Sequence, residues 1–278
     1  VSNAVGAQEH EQVRKVIRQG LVATATTGLA ALLVFQLLSP LLPRWLGARP
    51  EVLPGAVAYL RYYSLAAPFI AASNVFSAIL RCMGNTKTPL YFNTAANVLN
   101  IILNFFLIYP TRPVRLLGAV LTIPGAGLGV SGAAIASALA LSGAGAALLF
   151  SGMRQGRYRI SLREDFRPDR SVIRQAVRLG VPTALERATI NIGQIILTAV
   201  VASLSTVALA ANHIAVTAEG LCYLPAYGIS FAAIGLVGQA VGAGSREDAA
   251  AYGRLAALLG FFLTVGTAVA LFFGAPFL

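Results

Sequence analysis

The stretch "VGQAVGAGSRED", Val237–Asp248, repeats the opening of the chain, "VSNAVGAQEHEQ", Val1–Gln12. At a constant offset of 236 residues, Val1, Ala4, Val5, Gly6 and Ala7 match Val237, Ala240, Val241, Gly242 and Ala243. Arg18 matches Arg254 in the same way, each at the head of a long apolar run. A phrase used twice at that distance predicts an internally duplicated membrane protein, of which this chain is a piece.

Composition agrees. The chain is 57% hydrophobic and 11% charged, with a mean hydropathy of +0.74, whereas soluble domains carry about 25% charged residues. A formal net charge of +11 would suit nucleic acid on a soluble face. Here the charges sit in short links between apolar runs, so the expected partner is the lipid bilayer and not nucleic acid. Cys82 and Cys222 lie far apart without metal-ligand spacing and read as small apolar fillers.

A spanning helix needs about 20 mostly apolar residues. Seven stretches qualify: 20–43, 56–80, 89–110, 126–151, 178–203, 207–235 and 252–276. Alternation of period two is absent, which argues against a transmembrane barrel. The expected fold is therefore all-α, a polytopic transmembrane helix bundle. Taking the links alternately, one set holds fifteen Lys and Arg and the other five, which places the loops 1–19, 81–88, 154–177 and 242–251 in the cytoplasm. The longest polar link, 154–177, divides four helices (1–153) from three (178–278) and is expected to lie on anionic headgroups. In the fourth stretch Gly125, Gly129, Gly132, Ala136 and Ala140 recur at three- and four-residue steps, which suits close helix packing.

Polar side chains inside a membrane are costly and face the bundle interior or a watery cavity. Asn93, Asn97, Asn100 and Asn104 fall on one helical face. They read either as interhelical hydrogen-bonding groups or as the wet wall of a permeation path. In "GVPTALERATINIGQIILT", Pro182 lacks an amide proton and is expected to loosen or kink the helix. Glu186 lies about 12 Å inside Arg178 at 1.5 Å per residue. It is either statically paired, with Arg187 or another basic group, or it changes protonation or partner during work. Arg187, Asn191, Gln194 and Thr198 share one face. In "AANHIAVTAEGLCYLPAYGIS", Asn212, Glu219, Tyr223 and Tyr227 share another, with Pro225 and Gly228 expected to break the helix. An acid beside two tyrosines can seat a lipophilic cation, though Glu219 is equally open to a structural pairing. Enzyme constellations are missing: no HExxH, no Gly-rich phosphate cradle and no CxxC occurs.

The stretch "LRCMGNTKTPLYFNTAANVLNIILNFFLIYP" resembles the signature of multidrug and toxic compound extrusion (MATE) transporters. "GLGVSGAAIASALA", "LGVPTALERATINIGQIILTAVVASLSTVALAANHIA" and "YLPAYGISFAAIGLVGQAVGAGSREDAA" resemble the family's following helix and the opening of its second half. The resemblance implies twelve helices in two bundles of six, with these seven as the third to the ninth, and with two helices before Val1 and three after Leu278. It also implies export of amphipathic, often cationic small molecules in exchange for H⁺ or Na⁺, with no cofactor, from the plasma (inner) membrane, as a monomer when full length. The expected site residues are Asn97, Asn100, Glu186, Gln194, Glu219 and Tyr223. Glu186 stands about one turn before the family's usual glutamate, where this chain has Ile190. The alternatives are a lipid or oligosaccharide flippase of the wider superfamily and a non-transporting membrane scaffold.

Overall fold

A computed structural model describes residues 1–45, 47–116, 119–160 and 166–275. Among them the helices are α1 (Ser2–Gly6), α2 (His10–Leu38), α3 (Leu42–Trp45), α4 (Leu53–Ser64), α5 (Ala67–Cys82), α6 (Lys87–Leu107), α7 (Gly129–Met153), α8 (Arg170–Leu204), α9 (Thr206–Gly242) and α10 (Arg246–Gly274). Six of these, α2 and α6 to α10, are each long and apolar enough to cross a membrane. The protein is thus a multi-pass membrane protein.

The remaining expected span, 56–80, is not one helix. It is the pair α4 and α5, bent by 47°. Pro68 stands in the first turn of α5; lacking an N–H, it leaves the Ser64 carbonyl without its usual helical partner, and the chain turns there. A second correction concerns Pro225 and Gly228. Both lie inside α9, which continues unbroken to Gly242. One proline removes one hydrogen bond, while every other backbone group in lipid still needs its helical partner. Likewise α8 runs through Pro182 as one helix.

Between α6 and α7 the all-α expectation fails locally. Strands β1 (Pro110–Leu116) and β2 (Ala119–Ala126) form an antiparallel hairpin, with Arg112 opposite Ile123 and Val114 opposite Leu121. The run of Val, Leu, Thr and Ile over 120–123 suits a strand.

The starts of α8, α9 and α10 fall earlier than their apolar runs do, because polar caps set them. Asp169 accepts from Ser171 N at 2.8 Å and opens α8. The expected link 154–177 is therefore helical from Arg170 onward, and residues 161–165, with Arg163, lie outside the described residues. Ser205 accepts from Ala208 N at 3.0 Å and opens α9 directly after α8. Ser245 accepts from Asp248 N at 3.2 Å and donates to the Asp248 carboxylate at 2.7 Å, opening α10.

The chain divides into two compact units. In residues 10–166, α7 packs against α4, α5 and α6, and α5 against α2. Val13, Ile17, Phe76, Leu80 and Leu148 are fully buried there. Gly132, Ala136 and Ala140 of the small-residue stripe are buried as expected, and the stripe continues through Ala144, Gly145 and Gly152. Gly125 instead lies in β2 and Gly129 is the first residue of α7. A Cβ at Gly145 would overlap the carbonyl of Phe69, so the α5 and α7 backbones touch. The other unit joins residues 1–9 to residues 167–278. Within it α8 packs on α9, α9 on α10 and α1 on α9. No residue of α8 or α10 is buried; their leucine, isoleucine and phenylalanine side chains present a surface that lipid tails match.

Candidate functional site

The asparagine stripe of α6 is partly engaged. Asn100 Nδ2 donates to Ser137 Oγ of α7 at 3.1 Å, and Asn104 Nδ2 donates to Asn100 Oδ1 at 3.0 Å. Ser73 Oγ of α5 donates to Asn93 Oδ1 at 3.5 Å. Asn104 Oδ1 is buried without a partner among the described residues. Asn97 is exposed and makes no hydrogen bond there. Asn100 therefore ties α6 to α7 through Ser137, Asn104 bonds along its own helix to Asn100, and Asn97 is left exposed.

In the other unit the arginine expected beside Glu186 turns away from it. Arg187 Nη1 donates to Tyr227 OH of α9 at 3.1 Å, and its guanidinium carbon lies 5.5 Å from the centre of that ring. The cause is helical geometry: adjacent residues point about 100° apart, so Arg187 faces α9 and Glu186 does not. An ion pair does form elsewhere, between Arg14 and Glu11 at 3.5 Å. Glu186 makes no hydrogen bond or salt bridge among the described residues. Tyr227 in turn meets Tyr223 edge to face, centroids 5.6 Å apart at 90°.

Glu219 lies one turn before Tyr223 and two before Tyr227. It opens into a groove of about 700 Å³ between α9 and α10, walled by Ala215, Ala218 and Cys222 on one side and Ala268 and Leu271 on the other. Thr267 Oγ1 of α10 lies 3.3 Å from the Cys222 carbonyl of α9, while its single proton has nearer acceptors in its own helix, the Leu263 and Thr264 carbonyls at 3.0 Å. Glu219 makes no hydrogen bond or ion pair among the described residues, so a carboxylate stands in an almost wholly apolar trough. Gln194 and Thr198 line a smaller hollow of about 380 Å³ with Leu209. Since Arg187 marks the level of Tyr227, Glu219 lies about 12 Å farther along the helix pair at 1.5 Å per residue. Glu186 and Glu219 are two separate acidic points, not one cluster. No group of three or more metal-ligating side chains occurs among the described residues.

Of the six expected site residues, Asn97 and Asn100 belong to residues 10–166, and Glu186, Gln194, Glu219 and Tyr223 to the other unit. The contacts that the spacing alone did not reveal are Ser137 with Asn100 and Arg187 with Tyr227. Ser137 was visible only as a hydroxyl among the alanines of α7.

A carboxylate near an edge-to-face tyrosine pair on membrane-length helices does not by itself name a family; comparison with known proteins does. Residues 1–106 and 182–278 match the family model described as MatE. The chain belongs to the MatE family. A similar MatE relative is the probable multidrug resistance protein NorM of Thermotoga maritima, 28% identical over 98% of this chain and 56% of that protein. The uncharacterized transporter YisQ of Bacillus subtilis is 26% identical over 75% of this chain and 44% of its own length. The chain thus spans about half the length of the curated relatives it matches. Among solved structures, it superposes with a TM-score of 0.81, at 22% identity, on a multidrug resistance MATE family transporter in an outward-facing conformation, covering 99% of this chain and 58% of that one. It superposes with a TM-score of 0.85, at 23% identity, on a MOP superfamily transporter from Pyrococcus furiosus, covering 99% and 58%. These likenesses establish the MatE fold for the chain.

Proposed function

We propose that this chain is part of a secondary antiporter that exports amphipathic cations in exchange for inward H⁺ or Na⁺ by alternating access. In this reading α2 to α7 belong to the first of two six-helix halves, residues 154–177 link the halves on the cytoplasmic face, and α8 to α10 open the second. Family membership supports the transport class, and the family model's two separate matches agree with a duplicated architecture.

One observation carries the reading of the site: Glu219 is an unpaired carboxylate in an apolar groove, one helical turn from a tyrosine pair. A carboxylate on a membrane-length helix is costly to hold without a counter-charge, so a proton, a metal cation and a cationic substrate are rival partners for it. That mutual exclusion is the chemistry of exchange. Tyr223 adds an aromatic face for a lipophilic cation. Glu186, Gln194, Asn97 and Asn100 provide further polar points for the coupling ion or the substrate's passage.

The test is binding of a fluorescent lipophilic cation to the purified full-length protein. Dye should be displaced by acidification or by Na⁺, and Glu219→Gln should abolish that displacement. Displacement that persists in the variant would remove Glu219 from the exchange.

A further inference from the structure

The two copies of the repeated phrase pack on each other. A Cβ added at Gly6 would overlap the carbonyl of Gln239. One added at Gly242 would overlap the carbonyl of Asn3. The offset of 236 residues turns Gly6 into Gly242 and Asn3 into Gln239, so each of these contacts is the image of the other. A third contact closes the pattern: a Cβ at Gly238 would overlap the side chain of Ser2, and residue 238 is the image of residue 2. A residue that meets its own image lies on the axis relating the copies. Reciprocal pairing with a self-paired centre is the signature of an isologous interface, here formed within one chain between α1 and α9. Ala240, the image of Ala4, is 7% exposed in the same contact.

Backbone meets backbone here because the glycines have no side chain. Close backbone approach of this kind gains from packing and favours weak Cα–H···O contacts, and it depends on the absence of a side chain at both glycines. Basic residues at 14, 15, 18, 246 and 254 follow both copies, which puts the contact at the cytoplasmic end. We propose that Gly6 and Gly242 form a two-fold seal that closes the cytoplasmic end of the transport path and must part to admit substrate from inside. The seal rests on the transport reading above. The symmetry adds a specific consequence: the two glycines carry equal weight, and blocking either one blocks the whole contact.

The experiment uses the full-length protein in inside-out membrane vesicles, with Cys82 and Cys222 replaced by serine and Ala240→Cys as reporter for a membrane-impermeant maleimide. Labelling should be slow when the seal is closed. Gly6→Ala and Gly242→Ala should each raise its rate about ten-fold or more, as expected when a minor open state becomes dominant, and the double variant should add nothing further. Gly253→Ala, on α10 with open space around it, should leave the rate unchanged. Unaltered labelling in both glycine variants, or a response in only one, would overturn the proposal. To exclude simple misfolding, a reversible thiosulfonate cross-linker should join Asn3→Cys to Gln239→Cys with both glycines intact. Dye efflux should then stop and return on reduction; efflux that continues through complete cross-linking would overturn the seal. Labelling needs neither substrate nor gradient, so the seal is judged on it even if the unmodified protein shows no efflux, a result that would count against the transport reading instead.

Discussion

Arg187 shows how one side chain decides the state of its neighbours. By donating to Tyr227 across the helix pair, it leaves Glu186 without an ion pair and holds Tyr227 edge-on to Tyr223. The asparagines of α6 differ among themselves in the same way. Asn100→Ala removes the partner of both Ser137 and Asn104, and intramembrane hydrogen bonds average about 0.6 kcal/mol each. The expected outcome is a lower melting temperature in detergent for Asn100→Ala, with no change for Asn97→Ala, whose amide bonds nothing among the described residues. Equal melting of the two would show that Asn100 is not a structural tie. The asparagine face was legible from spacing alone, since i, i+4 and i+7 fix a face whatever surrounds the helix. Ser137 and Tyr227 as partners were not legible, because they depend on how neighbouring helices are rotated, which no local pattern records.

The elements are held by backbone proximity more than by large side chains. Gly145 brings α7 onto Phe69 of α5. Gly145→Ala forces those helices apart and should destabilise the bundle by about 1–3 kcal/mol, the usual cost of overpacking. Gly143→Ala, facing open space on the same helix, should be neutral or slightly stabilising because alanine is the better helix former. Thermal unfolding in detergent separates the two, and equal destabilisation would contradict close packing at residue 145. Six of the seven apolar runs each correspond to one membrane-length helix, because hydrocarbon thickness sets a length that composition reveals. Their ends were less legible: caps such as Asp169 and Ser245 start helices in polar sequence well before lipid begins. The α4–α5 bend escaped notice because Pro68 sits within a run that is apolar throughout, while Pro225, flagged as a breaker, is absorbed by α9. The hairpin β1–β2 was missed because its strands are short and carry no clean period-two alternation.

At the scale of the whole molecule, fifteen basic residues against five orient the bundle. Glu51→Cys should react with an impermeant maleimide in intact cells, and Arg246→Cys only after permeabilisation; the opposite pattern would invert the assigned orientation. The proposed exchange makes one central claim, that an ion gradient and a cation compete for Glu219 as the two halves rock. The most direct test is gradient-driven efflux of a lipophilic cationic dye from proteoliposomes holding the full-length protein, under an imposed H⁺ or Na⁺ gradient. The account predicts efflux that collapses with the gradient and is lost in Glu219→Gln, while that variant's melting temperature stays at the parent value. Efflux by Glu219→Gln at the parent rate, or efflux indifferent to both gradients, would contradict it.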